Sequence, residues 1–435
     1  MHQVHEKGTH VEIIGQVVVY IMMGCLVAGA VASMVKPGSE LGNQFIEGIY
    51  SVGPIFFSVG GIFASIPYLE VFINTVFGPL YALVGADPAL AATTIIASDM
   101  GGYQVADVLA STRESWIMAL FTGFMAGATI VYSMPIGLRM IDKSKHKYFA
   151  LGTMCGFLAI PIGVLIASGI CAFTNPMVRA IISTNSEATY QLAMSWGLIF
   201  ANLIPLTVIC VLIAIGLKLI PEKMIKGFTV FGTFIDYAAR TVLVLSIIEY
   251  FTGIFTTLFG GWGFVPLMAA DDGELVRAIE TCGAISMMLA GAFPMVHLVK
   301  TYLAGPLGKM GKLFHLSDMA TAGILATACN ALALYPMMKD MRAVDIVKTS
   351  AFTVCGAFLI GDHLSFAANF QPTLILPLFI GKLLAASIAV AFTALLALRE
   401  ARKLEAADLE AAGIEVPEDE SAPLPEAATA EATTA

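Results

Sequence analysis

Acidic and amide side chains interrupt two long apolar segments of this sequence, where their chemistry is tightly constrained. Asp99 stands in one segment and is followed by Gly101 and Gly102, while Asn330 lies in another. An ionisable group inside a membrane segment is costly and is a functional hypothesis by default. The Asp99 carboxylate suits an ammonium group, and the Asn330 amide, which donates and accepts hydrogen bonds, suits a hydroxyl. The glycines let the backbone open and approach a ligand closely.

Further ionisable residues form a second group of candidates. Asp362 and His363 are adjacent near the end of an apolar stretch, where a carboxylate beside an imidazole suits a cation site or a proton relay. Glu47 and Glu280 lie near the starts of two other apolar stretches. The predicted binding residues are therefore Asp99, Gly101, Gly102, Asn330, Asp362, His363, Glu47 and Glu280.

Each candidate also has a structural interpretation, which the sequence leaves open. Backbone N–H groups can hold the Asp99 carboxylate to stabilise a chain break, and Asn330 can join two helices by hydrogen bonds. Asp362 and His363 fit an exposed helix end equally well. Glu47 and Glu280 fit interfacial charges or helix caps.

No metal, cofactor or enzymatic site is predicted. The seven cysteines form no C-x-x-C pair and lie almost entirely in apolar runs, where cysteine packs as a small apolar residue. His5, Glu6 and His10 are spaced one residue too far apart for the zinc-protease motif. The sequence also has no phosphate-binding loop and no dinucleotide fingerprint.

The composition indicates a lipid environment. Of the 435 residues, 58% are hydrophobic and only 13% are charged, against about 25% charged residues in soluble proteins. The body has no basic face for nucleic acid. Much of the net charge of -9 comes from residues 401–435, which contain nine acidic and two basic residues.

The elements that must position these side chains are membrane-spanning helices, each needing about 20 apolar residues. The sequence predicts an all-α polytopic membrane protein with about 9 to 11 transmembrane helices. Nine stretches are long and apolar enough: 11–35, 45–70, 114–138, 147–172, 191–217, 226–252, 274–303, 346–369 and 372–398. Segments 87–110 and 316–338 begin with helix-cap patterns and carry polar residues mid-segment, so we expect two broken or re-entrant elements there.

Basic residues cluster in alternate loops, which predicts that these loops face the cytoplasm of the cell. The arrangement holds to the end of the chain only if 316–338 enters and leaves on one side. Under this orientation span 45–70 runs outward and span 274–303 runs inward. The C-terminal tail is then cytoplasmic.

The two halves of the sequence resemble each other. Gly78-Pro79-Leu80 matches Gly305-Pro306-Leu307, and the spacing from Asp87 to Asp99 matches that from Asp318 to Asn330. We therefore predict an inverted repeat with halves at about 45–172 and 274–398, an architecture found in many secondary transporters. The predicted regions are a polar N-terminal extension (1–10), a transmembrane domain (11–398) and an acidic disordered tail (399–435).

Several motifs in order resemble the ethanolamine utilisation transporter family, the ethanolamine permeases called EutH. They are Ala97–Gly102, Ile220–Phe228, Gly291–Val296, Met337–Lys339 and Gly361–Asn369. The similarity covers roughly residues 11–400. It implies a multi-pass protein of the bacterial inner membrane that takes up ethanolamine, a small amino-alcohol, without a cofactor. A membrane-embedded sensor or enzyme without transport activity is the alternative, and the sequence does not fix the oligomeric state.

Overall fold

The computed structural model describes residues 2–260, 278–313, 316–411 and 413. Within these ranges the chain is mainly helical, and its one pair of strands is a small hairpin in which β1 (Met177–Val178) pairs antiparallel with β2 (Tyr190–Gln191). The prediction of an all-α polytopic fold is confirmed. Helix α1 begins at His2, so the predicted polar extension is part of that helix.

Helices of the first half include two that are short and lie in the predicted broken segment 87–110. The helices are α1 (His2–Val35), α2 (Glu40–Tyr50), α3 (Val52–Ala64), α4 (Ile66–Val76), α5 (Gly78–Ala82), α6 (Ala89–Ile95), α7 (Gly102–Leu109), α8 (Arg113–Thr122), α9 (Met134–Met140) and α10 (His146–Thr174). A π-helix over Gly123–Ser133 joins α8 to α9, and 3₁₀ turns occupy Ser98–Met100 and Lys143–Lys145.

The remaining helices comprise two long ones, α11 (Trp196–Leu219) and α12 (Pro221–Thr252), that connect the halves, and those of the second half. The latter are α13 (Ile254–Phe259), α14 (Ala278–Leu313), α15 (Asp318–Cys329), α16 (Ala343–Gly356), α17 (Asp362–Phe370), α18 (Ile375–Leu396) and α19 (Leu398–Ala411). Short 3₁₀ turns occupy Ala331–Ala333, Tyr335–Asp340 and Pro372–Leu374.

Among the described residues, eight helical stretches are long and apolar enough to cross a membrane. They are Ile13–Val35, Glu40–Ala64, Arg113–Met140, Lys143–Thr174, Trp196–Leu219, Pro221–Thr252, Ala278–Tyr302 and Pro372–Leu396. Helix α12 has an exposed apolar face, on which Val230, Phe234 and Tyr237 are 60%, 65% and 62% exposed. An apolar face of this kind suits contact with lipid.

The eighth predicted span, 346–369, is wrong as a continuous helix. Helix α16 ends at Gly356, and Phe358 takes a left-handed backbone with φ 59°. The N–H groups of Phe358 and Ile360 donate to the Thr327 and Ala328 carbonyls near the end of α15, at 3.0 and 2.9 Å. Hydrogen bonds to another helix therefore replace the bonds that would continue α16.

Segment 87–110 is a broken hairpin whose two ends meet. The Asp87 carboxylate accepts from the Ala89 N–H at one end, at 2.9 Å, and from the Ser111 N–H and hydroxyl at the other, at 2.9 and 2.6 Å. The second predicted hairpin closes similarly, because the Ser317 hydroxyl donates to Asp345 at 2.6 Å. The two ends of each element therefore lie close together, and their re-entry on one side of the membrane stays a prediction.

Helix boundaries recur at a nearly constant offset between the halves, which supports the predicted repeat. The corresponding helices begin at Ala89 and Asp318, at Arg113 and Ala343, and at His146 and Ile375. Helices α10 and α18 run antiparallel, since Gly163 lies against Ala385 and Gly381 against Ala167. An inverted relation between the halves requires this opposite direction, and it stays a prediction.

The predicted disordered tail is wrong for its first part. Residues 398–411 form α19, and Glu405 makes a buried ion pair with Arg342 at 2.9 Å. Asp408 accepts from the Tyr148 hydroxyl at 2.6 Å, which ties α19 to α10. These polar contacts compensate for the few apolar side chains of the segment. The rest of the predicted tail, 414–435, lies outside the described residues.

Candidate functional site

The first broken hairpin places Asp99 at its tip. Helix α6 ends at Ile95, and the Gly102 N–H donates to the Ala97 carbonyl at 2.9 Å to form a tight turn. Gly101 has φ 98°, a conformation that favours glycine, and a Cβ there would lie 2.8 Å from Ile62. Asp99 therefore projects from a turn that only glycine closes easily.

The second broken hairpin places Asn330 directly after α15. Its side-chain oxygen accepts from the Leu332 N–H at 2.9 Å and starts a 3₁₀ turn. This contact is local, so it differs from the predicted alternative in which Asn330 joins two helices. The tip of the hairpin also contacts the break after α16, where a Cβ on Gly361 would lie 2.1 Å from the Cys329 carbonyl oxygen.

The break between α16 and α17 places Asp362 and His363 in the interior. His363 is 1% exposed, and its ring lies against Phe124 and Phe358 with centroids 4.5 and 5.2 Å apart. Its Nε2 lies 3.8 Å from Asp99 Oδ2. The alternative of an exposed helix end is wrong for this pair, because the discontinuity turns them toward the hairpin tips.

These elements enclose one cavity of about 380 Å³. It contains five of the eight predicted residues, namely Glu47, Asp99, Asn330, Asp362 and His363. The other polar lining residues are Tyr50, Ser51, Ser58 and Tyr132, and the remaining wall is apolar. The cavity opens beside α2, where Glu47 and Tyr50 are exposed.

Two polar atoms of the cavity have no hydrogen-bond partner among the residues that the structure describes. Asp99 Oδ1 and His363 Nδ1 are both buried and unpaired. A buried polar atom without a partner costs about 1–3 kcal/mol, and more when it is charged. A carboxylate oxygen in this situation is suited to accept a hydrogen bond from a cationic ligand. The alternative in which neighbouring N–H groups fully satisfy Asp99 is therefore wrong.

Three predicted residues do not line the cavity. Gly101 and Gly102 shape the turn behind Asp99, where a Cβ on Gly102 would lie 2.5 Å from the Ile96 carbonyl oxygen. Glu280 is exposed in the first turn of α14 and lies outside the cavity. The sequence placed these residues near a predicted break or the start of a helix. That position alone does not tell whether a residue lines a cavity or supports the backbone beside it.

Lys382 is an ionisable residue near the site that the sequence analysis did not single out. It lies in α18 with 0% exposure, and its Nζ donates to the Phe124 carbonyl at 2.8 Å. The ammonium interacts electrostatically with Asp99. A lone lysine in the apolar stretch 372–398 is a signal that could have found it.

A layer of aromatic rings closes the cavity beyond His363. Phe366, one helical turn after His363, packs against Phe124 and Tyr103 with centroids 5.6 and 5.5 Å apart. Tyr103 in turn stacks on Trp116 at 4.5 Å. These side chains are at most 1% exposed, so this end of the cavity is sealed.

A hydrogen-bonded group covers the aromatic layer, and we call it the Gln371 network (Tyr103, Arg179 and Gln371). The Gln371 amide nitrogen donates to the Tyr103 hydroxyl and to the Arg179 carbonyl, both at 2.9 Å. Its oxygen accepts from the Arg179 N–H at 3.0 Å. The Arg179 guanidinium donates to the carbonyls of Asn369 and Phe370 at the end of α17.

Comparisons with known proteins agree along nearly the whole chain. A model of the family described as "Ethanolamine utilisation protein, EutH" matches residues 14–396. A protein of Listeria monocytogenes named "Probable ethanolamine permease EutH" is 36% identical over 90% of this chain and 97% of its own length. Proteins with the same name from Salmonella typhimurium and Escherichia coli are 35% and 34% identical, covering 87% and 89% of this chain and 94% and 96% of their own lengths.

No solved structure matches this chain. The candidate spans and the permease names of the relatives together establish a multi-pass membrane protein.

Proposed function

Because the chain belongs to the EutH family of ethanolamine utilisation proteins, we propose that it carries ethanolamine across the membrane by alternating access. The observation that carries this proposal is the unpaired Asp99 carboxylate oxygen inside a cavity of about 380 Å³. The permease names of the relatives favour a transporter over a membrane-embedded enzyme or sensor.

Both polar groups of ethanolamine have complementary side chains in the cavity. An alkyl amine is protonated at neutral pH, as the lysine side chain is, so ethanolamine presents an ammonium group and a hydroxyl. Asp99 and Asp362 lie in the cavity and supply negative charge for the ammonium. Asn330 and Tyr132 also line it and supply hydrogen-bonding groups for the hydroxyl.

The aromatic layer and the Gln371 network support alternating access. The cavity is closed on their side and open beside Glu47 and Tyr50. If the basic loops face the cytoplasm, α2 starts there and the open side is cytoplasmic. This conformation then faces inward in the inner membrane, with α19 on the cytoplasmic side. Movement of the two broken hairpins against their surroundings would open the other side.

Uptake of radiolabelled ethanolamine into proteoliposomes tests the proposal. We expect saturable uptake by the wild type and, at ethanolamine concentrations near the wild-type KM, loss of most of that uptake in Asp99→Asn. Repeating the experiment with and without an imposed pH gradient separates proton-coupled from passive transport. Counterflow of labelled against unlabelled substrate distinguishes a carrier from a sensor. A folded wild-type protein that takes up no ethanolamine would overturn the proposed function.

A further inference from the structure

Phe358 has a backbone conformation that phenylalanine rarely adopts. Its φ of 59° lies in the left-handed region, where glycine is usual and a bulky residue is an outlier. The Phe358 N–H donates to the Thr327 carbonyl at 3.0 Å, and its carbonyl accepts from the His363 N–H at 3.3 Å. These bonds use backbone atoms alone, so glycine would form them with less strain. The backbone of the break therefore does not explain why a phenylalanine occupies this position.

The Phe358 side chain forms part of the cavity wall. Its ring packs edge-on against Tyr132 and at a tilt against His363, with centroids 5.9 and 5.2 Å apart. The His363 ring also approaches Asp99, because its Nε2 lies 3.8 Å from Asp99 Oδ2. One imidazole ring therefore lies against both the Phe358 ring and the carboxylate that we expect to receive the substrate ammonium.

The chemistry of a phenyl ring at this place suits a cation. An aromatic ring attracts a cation through the partial negative charge of its face, and the attraction is stronger where the cation has lost its water. A phenyl ring has no titratable proton, so it keeps this property at every pH. An aliphatic side chain would give the same apolar contact without the attraction. Strained backbone positions cluster where ligands bind, which agrees with a role for this side chain in binding.

The size of the cavity shows why such a contact matters. Ethanolamine has four non-hydrogen atoms and fills on the order of 120 Å³, at about 30 Å³ for each as for a water molecule in the liquid. The cavity of about 380 Å³ has room for considerably larger molecules. Shape alone therefore does not select ethanolamine, and selection depends on the groups that the wall presents.

We propose that Phe358 is a specificity-determining residue whose ring face binds the substrate ammonium beside Asp99, so that the cavity prefers small cations to neutral molecules of the same shape. This proposal rests on the proposed function and adds a contact to the same cavity. The strained break between α16 and α17 then has a use in binding, because it holds the ring in the cavity wall.

Replacement of Phe358 by fluorinated phenylalanines in the full-length protein tests the proposal. The series 4-fluoro-, 3,5-difluoro- and 3,4,5-trifluorophenylalanine withdraws charge from the ring face stepwise while nearly keeping the shape of the ring. The affinity for ethanolamine, measured by equilibrium binding to the purified protein, should fall with each added fluorine. The total loss should be about 5- to 30-fold.

Two controls separate the charge of the ring face from its packing. The neutral probe is 1-propanol, in which a methyl group replaces the ammonium, and its weak competition should be the same for every ring in the series. The matched control position is Phe157, which is 0% exposed in α10 and outside the cavity wall. Trifluorophenylalanine at that position should leave ethanolamine affinity unchanged.

Phe358→Leu provides a test with ordinary amino acids. It keeps an apolar side chain without a ring face, and ethanolamine affinity should fall by about the same 5- to 30-fold. If this variant does not fold, the fluorinated series decides, because those rings keep the packing against Tyr132 and His363.

The failure of this proposal is distinguishable from the failure of the proposed function. Wild-type protein that binds ethanolamine, with an affinity that fluorination of Phe358 leaves unchanged, would overturn the role of Phe358 alone. Equal losses for ethanolamine and 1-propanol would do the same, since they would show an effect of packing. Folded wild-type protein that neither binds nor transports ethanolamine would instead overturn the proposed function.

Discussion

The cavity and the Gln371 network differ in whether their buried polar groups have hydrogen-bond partners. In the network, both ends of the Gln371 amide are used, by Tyr103 and by the backbone of Arg179. In the cavity, Asp99 Oδ1 and His363 Nδ1 are left without partners. One region is complete without a ligand, whereas the other becomes complete only when a ligand supplies hydrogen bonds.

This difference separates residues that maintain the structure from residues that bind. A fully paired buried group contributes to folding, and its loss leaves partners unsatisfied. An unpaired carboxylate destabilises the protein, and its loss relieves that cost. We therefore expect substitutions in the cavity to reduce binding without reducing stability, and substitutions in the Gln371 network to reduce stability first.

The largest effect on transport is expected for Asp99→Asn. The variant removes a charged acceptor for the substrate ammonium, and a charge-assisted hydrogen bond is worth about 1.5–3 kcal/mol. The KM for ethanolamine uptake should rise about 10- to 100-fold, as measured in proteoliposomes. The midpoint of thermal unfolding should stay the same or rise, because the buried carboxylate with its unpaired oxygen is replaced by a neutral amide, which costs less to bury.

A loss of stability in Asp99→Asn would contradict the distinction between the cavity and the Gln371 network. If Asp99→Asn lowered the unfolding midpoint by as much as it impaired uptake, Asp99 would be part of the folded framework. Measuring both quantities on the same preparation separates the two roles. The exposed acidic variant Glu40→Gln, on the same helix as Glu47, controls for a general effect of removing a carboxylate.

The next effect is expected for Gln371→Leu, and it should fall on stability. The leucine leaves the Tyr103 hydroxyl and both backbone groups of Arg179 without their Gln371 partner, which costs about 1–3 kcal/mol. The unfolding midpoint should fall. Amide hydrogen exchange at Arg179 should accelerate, because its N–H loses the acceptor.

The matched control for this variant is Gln191→Leu, which changes an exposed glutamine on β2 in the same loop region. It should leave the unfolding midpoint and the exchange rate at Arg179 unchanged. Equal effects of the two leucine substitutions would show that the Gln371 network does not hold this side of the protein closed.

Local polarity made part of the site predictable from the sequence. Asp99, Asn330 and Asp362 are visible because each interrupts an apolar segment. Lys382 carries the same signal, and the prediction omitted it. Tyr132 reaches the cavity only through tertiary packing, and its place in an apolar run is ordinary for a transmembrane helix.

Of the two backbone breaks beside the cavity, one was predictable from the sequence and one was not. The turn at Asp99 was predictable because Gly101 and Gly102 follow the polar residue. The break between α16 and α17 was not, because its sequence is mostly apolar and its N–H groups bond to carbonyls of α15. Such a break depends on a partner helix that is distant in the sequence, and single-segment patterns do not contain that information.

A smaller effect is expected for Asn330→Ala. A neutral hydrogen bond to the substrate hydroxyl is worth about 0.5–1.5 kcal/mol, so the KM should rise about 2- to 10-fold. Ethylamine, which lacks the hydroxyl, provides the test of mechanism. The variant should lose affinity for ethanolamine but not for ethylamine in competition assays. Equal losses for both compounds would assign Asn330 to the hairpin turn alone, where its oxygen caps Leu332.

The smallest effect is expected for Glu47→Gln, and it tests where the binding region ends. Glu47 lines the cavity but is exposed at its mouth, so water and salt screen its attraction for a cation. We expect a change in KM of about twofold, comparable with the weak energy of exposed charge pairs. The change should disappear when uptake is measured at high ionic strength. An effect as large as that of Asp99→Asn, and independent of salt, would place Glu47 in direct contact with the substrate and extend the unpaired region to the mouth of the cavity.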